Sequence, residues 1–379
     1  MMAILERIKT AGLKEYGVYP EDMAEKLAAH HGADALVVAL NNADVEGAAL
    51  QLLERSAQKV FDGMNLTADI IGTSRKILQI PDFASDLMDT LANAAEASGV
   101  ELVQGIVNVR ACAASCITHI VTMAEIADIA AGTYTDGVYL SVNNGAFTKV
   151  AADTKLSALV GENVKGVKTG YIVRGAKALN LTVQDANIEN GVLNAIKDAD
   201  CVVSQVQIQL RACRAQSCGK CVFCREGLLQ LEAMQKDVTV GKGTLAELDM
   251  TKEIGEAMTY STPCSMGQNA SRIALSAVEN FRAEYEEHIK KRKCAADMCI
   301  AFRKVYVDPT ACTGCTKCQP VCPHDAIDGA KGYIHMVFDN WCDKCGRCID
   351  ACPENAIHLT TGRVPKLPDR MLRVGRFKA

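Results

Sequence analysis

The residues of this chain with the most distinctive chemistry are its cysteines. There are 18, of which two precede residue 200 and sixteen follow it. The densest stretch is an internal repeat: Cys312, Cys315, Cys318, Cys322 and Pro323 are matched at the same internal spacing by Cys342, Cys345, Cys348, Cys352 and Pro353. Each run reads C-x2-C-x2-C-x3-C-P. Three thiolates two residues apart can wrap one face of an iron-sulfur cubane, while the fourth, fixed by the following proline, points at the other cluster. The spacing therefore predicts one 4Fe-4S cluster on Cys312, Cys315, Cys318 and Cys352, and a second on Cys342, Cys345, Cys348 and Cys322. A zinc ribbon or inert buried thiols are the alternatives, and eight cysteines in register weigh against both.

A further set lies upstream in Ser217-Cys218-Gly219-Lys220-Cys221-Val222-Phe223-Cys224-Arg225-Glu226-Gly227, with Cys264 standing alone well after Cys224. Three close thiolates and one remote thiolate suit a third 4Fe-4S cluster, and Gly219 and Gly227 allow backbone to approach it. A four-cysteine zinc site is the competing reading. Of the six remaining cysteines, Cys294 and Cys299 follow His288 in an H-x5-C-x4-C pattern whose spacing suits zinc. The alternative makes His288 a helix C-cap and the thiols buried packing groups. Cys112 and Cys116 lie four apart in a stretch that reads as helix, where small apolar packing is expected. Cys213 has no evident partner. Gly241-Lys242-Gly243-Thr244-Leu245-Ala246 fits a dinucleotide fingerprint in letters, but it falls between ligands of one cysteine set and reads as a loop.

The elements that must hold these residues can be read more coarsely. A chain of 379 residues suggests two or three domains, and its 49% hydrophobic and 23% charged content supplies a sizeable core. With 41 Lys plus Arg against 45 Asp plus Glu, the net charge of -4 offers no footprint for nucleic acid. The uncharged run Ala111 to Ala124 falls short of the ~20 apolar residues of a membrane helix, so no span is expected. Glu6, Arg7 and Lys9 do not suit a signal peptide. A cytoplasmic, reducing location follows, in which cysteines serve as metal ligands rather than disulfides.

The pattern is that of a multidomain α/β chain. Residues 1–132 read as a shortened α/β domain, with helical spacing over Asp22 to His31, Ala48 to Phe61 and Phe83 to Ala97. Strands are expected within Asp34 to Leu40, Asp69 to Ile80 and Glu101 to Val109. Residues 133–199 carry short strands with Gly and Asn turns, 200–290 are helical with a loop near Val238 to Gly243, and 291–300 form a hinge. The cysteine repeat occupies 301–360, and 361–379 form a basic tail in which Arg363, Lys366, Arg370, Arg373, Arg376 and Lys378 face only Asp369.

The run SCGKCVFCREG, the later PCSMGQNASRIALSAVENFRAEYEEHI and the Gly/Asn-turn segment before them resemble the family of flavoprotein subunits found in complex I. They resemble still more its relatives in electron-bifurcating, NAD-dependent iron hydrogenases, which carry a C-terminal two-cluster ferredoxin module. The resemblance is strong over about 200–358 and weak before. It implies a β-grasp-like domain over 133–199, a helical 4Fe-4S domain and a C-terminal bacterial two-cluster ferredoxin fold. It also implies Cys201, in a similar Asp-Cys phrase, as the fourth ligand of the proposed zinc site with His288, Cys294 and Cys299. In that family the upstream cluster accepts electrons from FMN, yet the family's glycine-rich flavin loop and acidic segment are missing here. Ile106 to Arg110 is only a faint counterpart of another family segment. FMN is thus not expected, and the flavin domain reads as degenerate. The function implied is an electron-transfer subunit with three 4Fe-4S clusters in a soluble, electron-bifurcating type of anaerobic oxidoreductase complex. Its expected partners are a flavoprotein subunit, other oxidoreductase subunits and a soluble ferredoxin. The alternative is a catalytic FMN-containing NADH dehydrogenase subunit.

Overall fold

The structure, a computed structural model, describes residues 2–361 and 363–378. It divides into two compact units: the first runs from the N-terminal helix to Lys236 and includes Thr244–Arg282, and the second comprises Asp237–Gly243 and the chain from Ala283 onward.

The first unit opens with α1 (Met2–Ala11), α2 (Met23–Ala29), β1 (Leu36–Ala39), α3 (Gln51–Ile71), β2 (Lys76–Ile80), α4 (Asp86–Ala97), β3 (Val100–Gln104), β4 (Cys116–His119) and α5 (Ile120–Ala131). The four strands form a wholly parallel sheet in the order β3-β2-β1-β4. All four β1 residues are buried, as expected of a strand covered on both faces. α3 and α5 approach so closely that a Cβ on Gly63 would lie 1.9 Å from the Met123 carbonyl oxygen, so only glycine fits there.

Three sequence expectations change here. The expected strand over Asp69 to Ile80 begins only at Lys76, because Asp69 to Ile71 complete α3 and Gly72, with φ 76°, caps it. The one over Glu101 to Val109 starts at Val100 and stops at Gln104. Cys112 and Cys116 do not share a helix. Cys112 lies in a run of turns, while Cys116 opens β4 opposite Leu36, where β-branched Ile117 and Thr118 suit parallel pairing.

A second sheet follows, built from β5 (Val138–Val142), β6 (Thr148–Val150), β7 (Val164–Thr169), β8 (Ile172–Gly175) and β9 (Val192–Lys197), with the short helices α6 (Leu156–Val160) and α7 (Val183–Ala186). Its order is β6-β5-β9-β7-β8, and only the β5–β9 pair is parallel. Asn143 and Asn144, at φ 50° and 59°, make the tight turn between β5 and β6. The helical part comprises α8 (Val202–Gln216), α9 (Val222–Thr239), α10 (Leu245–Ser261) and α11 (Ser265–Asn280). Thr244 and Glu247 form a capping box on α10, so the glycine-bearing segment before it is a helix entry.

After α12 (Arg282–Glu286), the second unit pairs β10 (Lys304–Val307) with β13 (Ile357–Thr360) and β11 (Ile327–Asp328) with β12 (Met336–Val337), and α13 (Arg347–Asp350) lies between β12 and β13. Its core joins Val305, Val307, Ile327, Ile334 and Ile357 to buried cysteines. The repeat persists in the backbone. Left-handed residues recur at equivalent places in the two runs as Gly314 and Lys344, Thr316 and Gly346, and Asp325 and Asn355. Among the described residues, no helix is long and apolar enough to cross a membrane.

Candidate iron-sulfur and metal centres

In the second unit, Cys312, Cys315, Cys318 and Cys352 line one cavity together with Val307 and His335. Cys322, Cys342, Cys345 and Cys348 line another with Val305 and Ile327. Each run thus sends its fourth cysteine to the other run's cavity. The Ala326 amide donates to Cys322 Sγ and the Ala356 amide to Cys352 Sγ, both at 3.3 Å, so the two crossing ligands are held alike. Burial pushes the Cys318 and Cys348 thiols up to about 11, with neighbouring cysteines adding to the rise. Four thiols in one cavity resist ionising together unless a cationic core compensates them, which is the chemistry of an iron-sulfur site. The residues fit such a group, which when bound supplies one-electron redox chemistry.

His335 went unnoticed in the sequence. It is buried beside the first cavity, its Nδ1 4.0 Å from Cys312 Sγ and its Nε2 3.3 Å from Gln319 Oε1. It lies outside both cysteine runs, so spacing gives no signal for it.

In the first unit, Cys218 and Cys221 occupy the loop between α8 and α9, Cys224 lies in the first turn of α9, and Cys264 is the N-cap of α11. Two helix N-termini thus meet the set, and their positive ends favour thiolates. Cys224 is raised by burial, then lowered in part by the Ser217 hydroxyl 3.5 Å away, with Cys264, Cys218 and Cys221 as charged neighbours. Gly219, at φ 69° with open space where a Cβ would stand, leaves the loop clear to approach a cluster.

His288, Cys294 and Cys299 gather in the second unit, all buried, with their ligand atoms within 4.8 Å of one another. His288 Nδ1 bonds the Glu284 carbonyl at 2.8 Å, which leaves the Nε2 lone pair 3.5 Å from Cys299 Sγ. Such a backbone bond fixes the tautomer a metal needs, and bonds of ~2.0–2.3 Å to one tetrahedral zinc put ligands about this far apart. Cys201 belongs to the first unit, where it is the N-cap of α8 and its buried Sγ accepts from the Ser204 amide at 3.5 Å. Cys213 is buried on α8, 3.9 Å from the Ala43 carbonyl oxygen, a packing role.

Residues 205–288 match the NADH-ubiquinone oxidoreductase-F iron-sulfur binding region, and 311–357 match the 4Fe-4S dicluster domain. The likeness to the flavoprotein subunits of complex I and of NAD-linked hydrogenases is borne out. The chain is 34% identical over 185 residues to the NADP-reducing hydrogenase subunit HndC of Solidesulfovibrio fructosivorans, covering 46% of this chain and 38% of that one. It is 35% identical over 105 residues to the F subunit of NADH-quinone oxidoreductase in Streptomyces coelicolor, covering 28% of this chain and 23% of that one. It therefore spans well under half the length of these relatives. The crystal structure of an NAD+-reducing [NiFe]-hydrogenase in the H2-reduced state shares the fold at a TM-score of 0.64 and 18% identity, over 76% of this chain and 62% of the other.

The first unit also holds a cavity of about 220 Å³ at the carboxyl ends of β1 and β4, bordered by Asn41, Asn42, Val107, His119, Cys264 and Ser265. This is where an open parallel sheet reverses its strand order and places ligands. Asn42 closes it from one side: its Nδ2 donates to the Val107 carbonyl, its Oδ1 accepts from the Val107 amide, and its own amide donates to Ser265 Oγ at 3.0 Å. His119 Nδ1 accepts from the Val121 amide, so Nε2 carries the proton, and burial holds the ring neutral with its pKa lowered to about 3. Drug-sized ligands occupy clefts of ~300–1,000 Å³. A cavity of about 220 Å³ without a glycine-rich phosphate turn does not fit a flavin mononucleotide, so no step is derived through one.

Proposed function

We propose that the chain is the electron-transfer subunit of a soluble, electron-bifurcating multi-subunit oxidoreductase. It would relay single electrons through three 4Fe-4S clusters between a flavoprotein partner and ferredoxin or another catalytic subunit. The observation that carries this reading is the presence of three separate four-cysteine sets. The iron-sulfur matches over 205–288 and 311–357 and the subunit names of the relatives support it. On this reading residues 1–132 are a degenerate flavoprotein-like domain, 133–199 a β-grasp-like domain, 200–290 the helical cluster domain and 301–360 a bacterial two-cluster ferredoxin domain. Anaerobic analysis should find about twelve iron and twelve sulfide per chain, and a content near eight would remove the Cys218, Cys221, Cys224 and Cys264 set.

The further metal reading places one zinc on Cys201, His288, Cys294 and Cys299, supported by the tautomer that Glu284 imposes on His288. Elemental analysis should give one zinc per chain, lost in the Cys294→Ala, Cys299→Ala double variant; wild type without zinc overturns it. The catalytic alternative needs a flavin, which the cavity of about 220 Å³ beside Cys264 at the sheet's reversal point does not fit. Stoichiometric FMN in the purified chain, together with NADH oxidation, would establish it over the relay.

A further inference from the structure

The basic segment of residues 363–378 is not a loose extension. The Ile334 amide donates to the Leu372 carbonyl at 2.8 Å and the Val374 amide to the Gly332 carbonyl at 3.1 Å. Leu372 and Phe377 pack against the core of the second unit. Arg373 crosses the Tyr333 ring, with its guanidinium carbon 5.8 Å from the centroid and its Nε 3.4 Å from the phenol oxygen. The loop it covers is itself tied to the first cysteine run, because the Gly332 amide donates to the Gly314 carbonyl at 3.0 Å. Gly314 stands between Cys312 and the exposed Cys315.

This strap breaks the charge symmetry of the two halves. Residues 309–324, which carry the first run, contain no carboxylate, and Lys317 and Lys331 are exposed alongside it. The acidic groups near this site are Asp308, bonded to Thr310, Asp328, whose charge acts on His335, and Glu354. The second run carries Asp339, Asp343 and Asp350, with Asp325 following Cys322, and its Lys344 is already engaged by Asp339. A 4Fe-4S core held by four thiolates has a net charge of about -2, so each loaded site repels an acidic protein unless cations surround it. The second cavity has Arg347 in its lining, whereas the first is flanked by Lys317, Lys331 and the strap with Arg373.

We infer that the strapped basic segment makes the first site the port at which an acidic one-electron carrier, a small iron-sulfur protein, docks on this chain. The inference rests on the relay reading and adds the partner's charge and the face it meets. In the exchange one electron leaves the reduced carrier and enters the first site, with no bond made or broken and no proton moved. Cationic clusters of this kind steer acidic partners and accelerate association by about 10–1,000-fold at low salt.

The test uses the anaerobically purified full chain with its clusters, and an acidic two-cluster ferredoxin as probe. Stopped-flow reduction and binding titrations are run at low and high salt for wild type, for an Arg370→Glu, Arg373→Glu, Arg376→Glu triple variant, and for the milder triple Gln variant in case the first disturbs folding. The Glu variant should lose at least about tenfold in second-order rate and in carrier affinity at low salt. The loss should shrink at high salt, while reduction by methyl viologen and the cluster EPR signals stay unchanged. Arg347→Glu, beside the second site, should cost less than twofold. Equal carrier rates in wild type and both triple variants, or an equal loss from Arg347→Glu, would overturn the inference. A wild type that viologen cannot reduce would instead sink the relay reading beneath it.

Discussion

The two halves of the cysteine repeat share spacing, the left-handed backbone positions and the crossing ligand, yet their surroundings differ. Around the first site stand His335, the carboxylate-free stretch 309–324 and the loop under Arg373. Around the second stand four aspartates and the exposed pair Phe338 and Trp341, whose rings are 5.5 Å apart. A repeated motif therefore specifies a repeated ligand geometry and nothing about what meets it. The motif is local, whereas the charge and aromatic environment comes from segments outside it.

The largest effect expected separates the halves by their crossing ligands. Cys322→Ala should remove the second cluster although it lies in the first run, and Cys352→Ala the first, each lowering iron by about four per chain. The remaining EPR signal should differ between the two variants. A residual spectrum of Cys322→Ala that matches that of Cys315→Ala, rather than that of Cys345→Ala, would mean that each run closes on itself.

Backbone space distinguishes the halves next. A Cβ on Gly314 would sit 2.7 Å from the Tyr333 amide nitrogen at φ 69°, whereas Gly346, at φ 81°, has nothing within 4 Å. Left-handed alanine alone costs ~1–2 kcal/mol, so Gly346→Ala should lose about that much. Gly314→Ala should lose about 2–4 kcal/mol, because the covering loop must also shift. Denaturant melts of the two variants under anaerobic conditions measure the gap, and equal losses would show that the loop over Gly314 yields freely.

A third test contrasts the module with the α/β region. Asp308 has its carboxyl lowered by the Thr310 hydroxyl and amide, so its stabilisation is present above the unfolded carboxylate range and fades as pH falls. Asp44 behaves oppositely. Burial pushes its carboxyl from 3.8 up to about 6, against hydrogen bonds from the Gly47 and Glu46 amides, so its contribution is full in acid and is lost as pH rises through 6. Stability should fall by roughly 2–3 kcal/mol between pH 4 and pH 8 on this account, and Asp44→Asn should flatten the fall. Thermal melts at the two pH values check the sign; a variant with wild-type pH dependence removes Asp44 as the cause.

Strongly periodic elements were readable in advance. Leu36 to Ala39 is a fully buried strand because its apolar run has no polar face to expose. The ends of elements were not readable. Gly72 terminates α3 by adopting a left-handed conformation, and Cys116 joins a strand because its pairing partner Leu36 comes from a distant part of the chain. Local spacing cannot weigh such a partner.

By itself the sequence singled out the twelve cysteines proposed as cluster ligands: those two residues apart are close in any compact backbone, whereas Cys264, Cys322 and Cys352 reach the rest of their proposed sets only through the fold. It also determined the set of His288, Cys294 and Cys299, and the presence of a basic segment beyond the repeat. Tertiary structure decided what those features face. Glu284 selects the His288 tautomer, His335 enters the first cavity from outside the motif, and Arg373 is carried onto the loop beside Gly314 by two backbone hydrogen bonds. Coulombic and hydrogen-bond energies depend on distance through space. Between residues far apart along the chain, only the fold sets that distance.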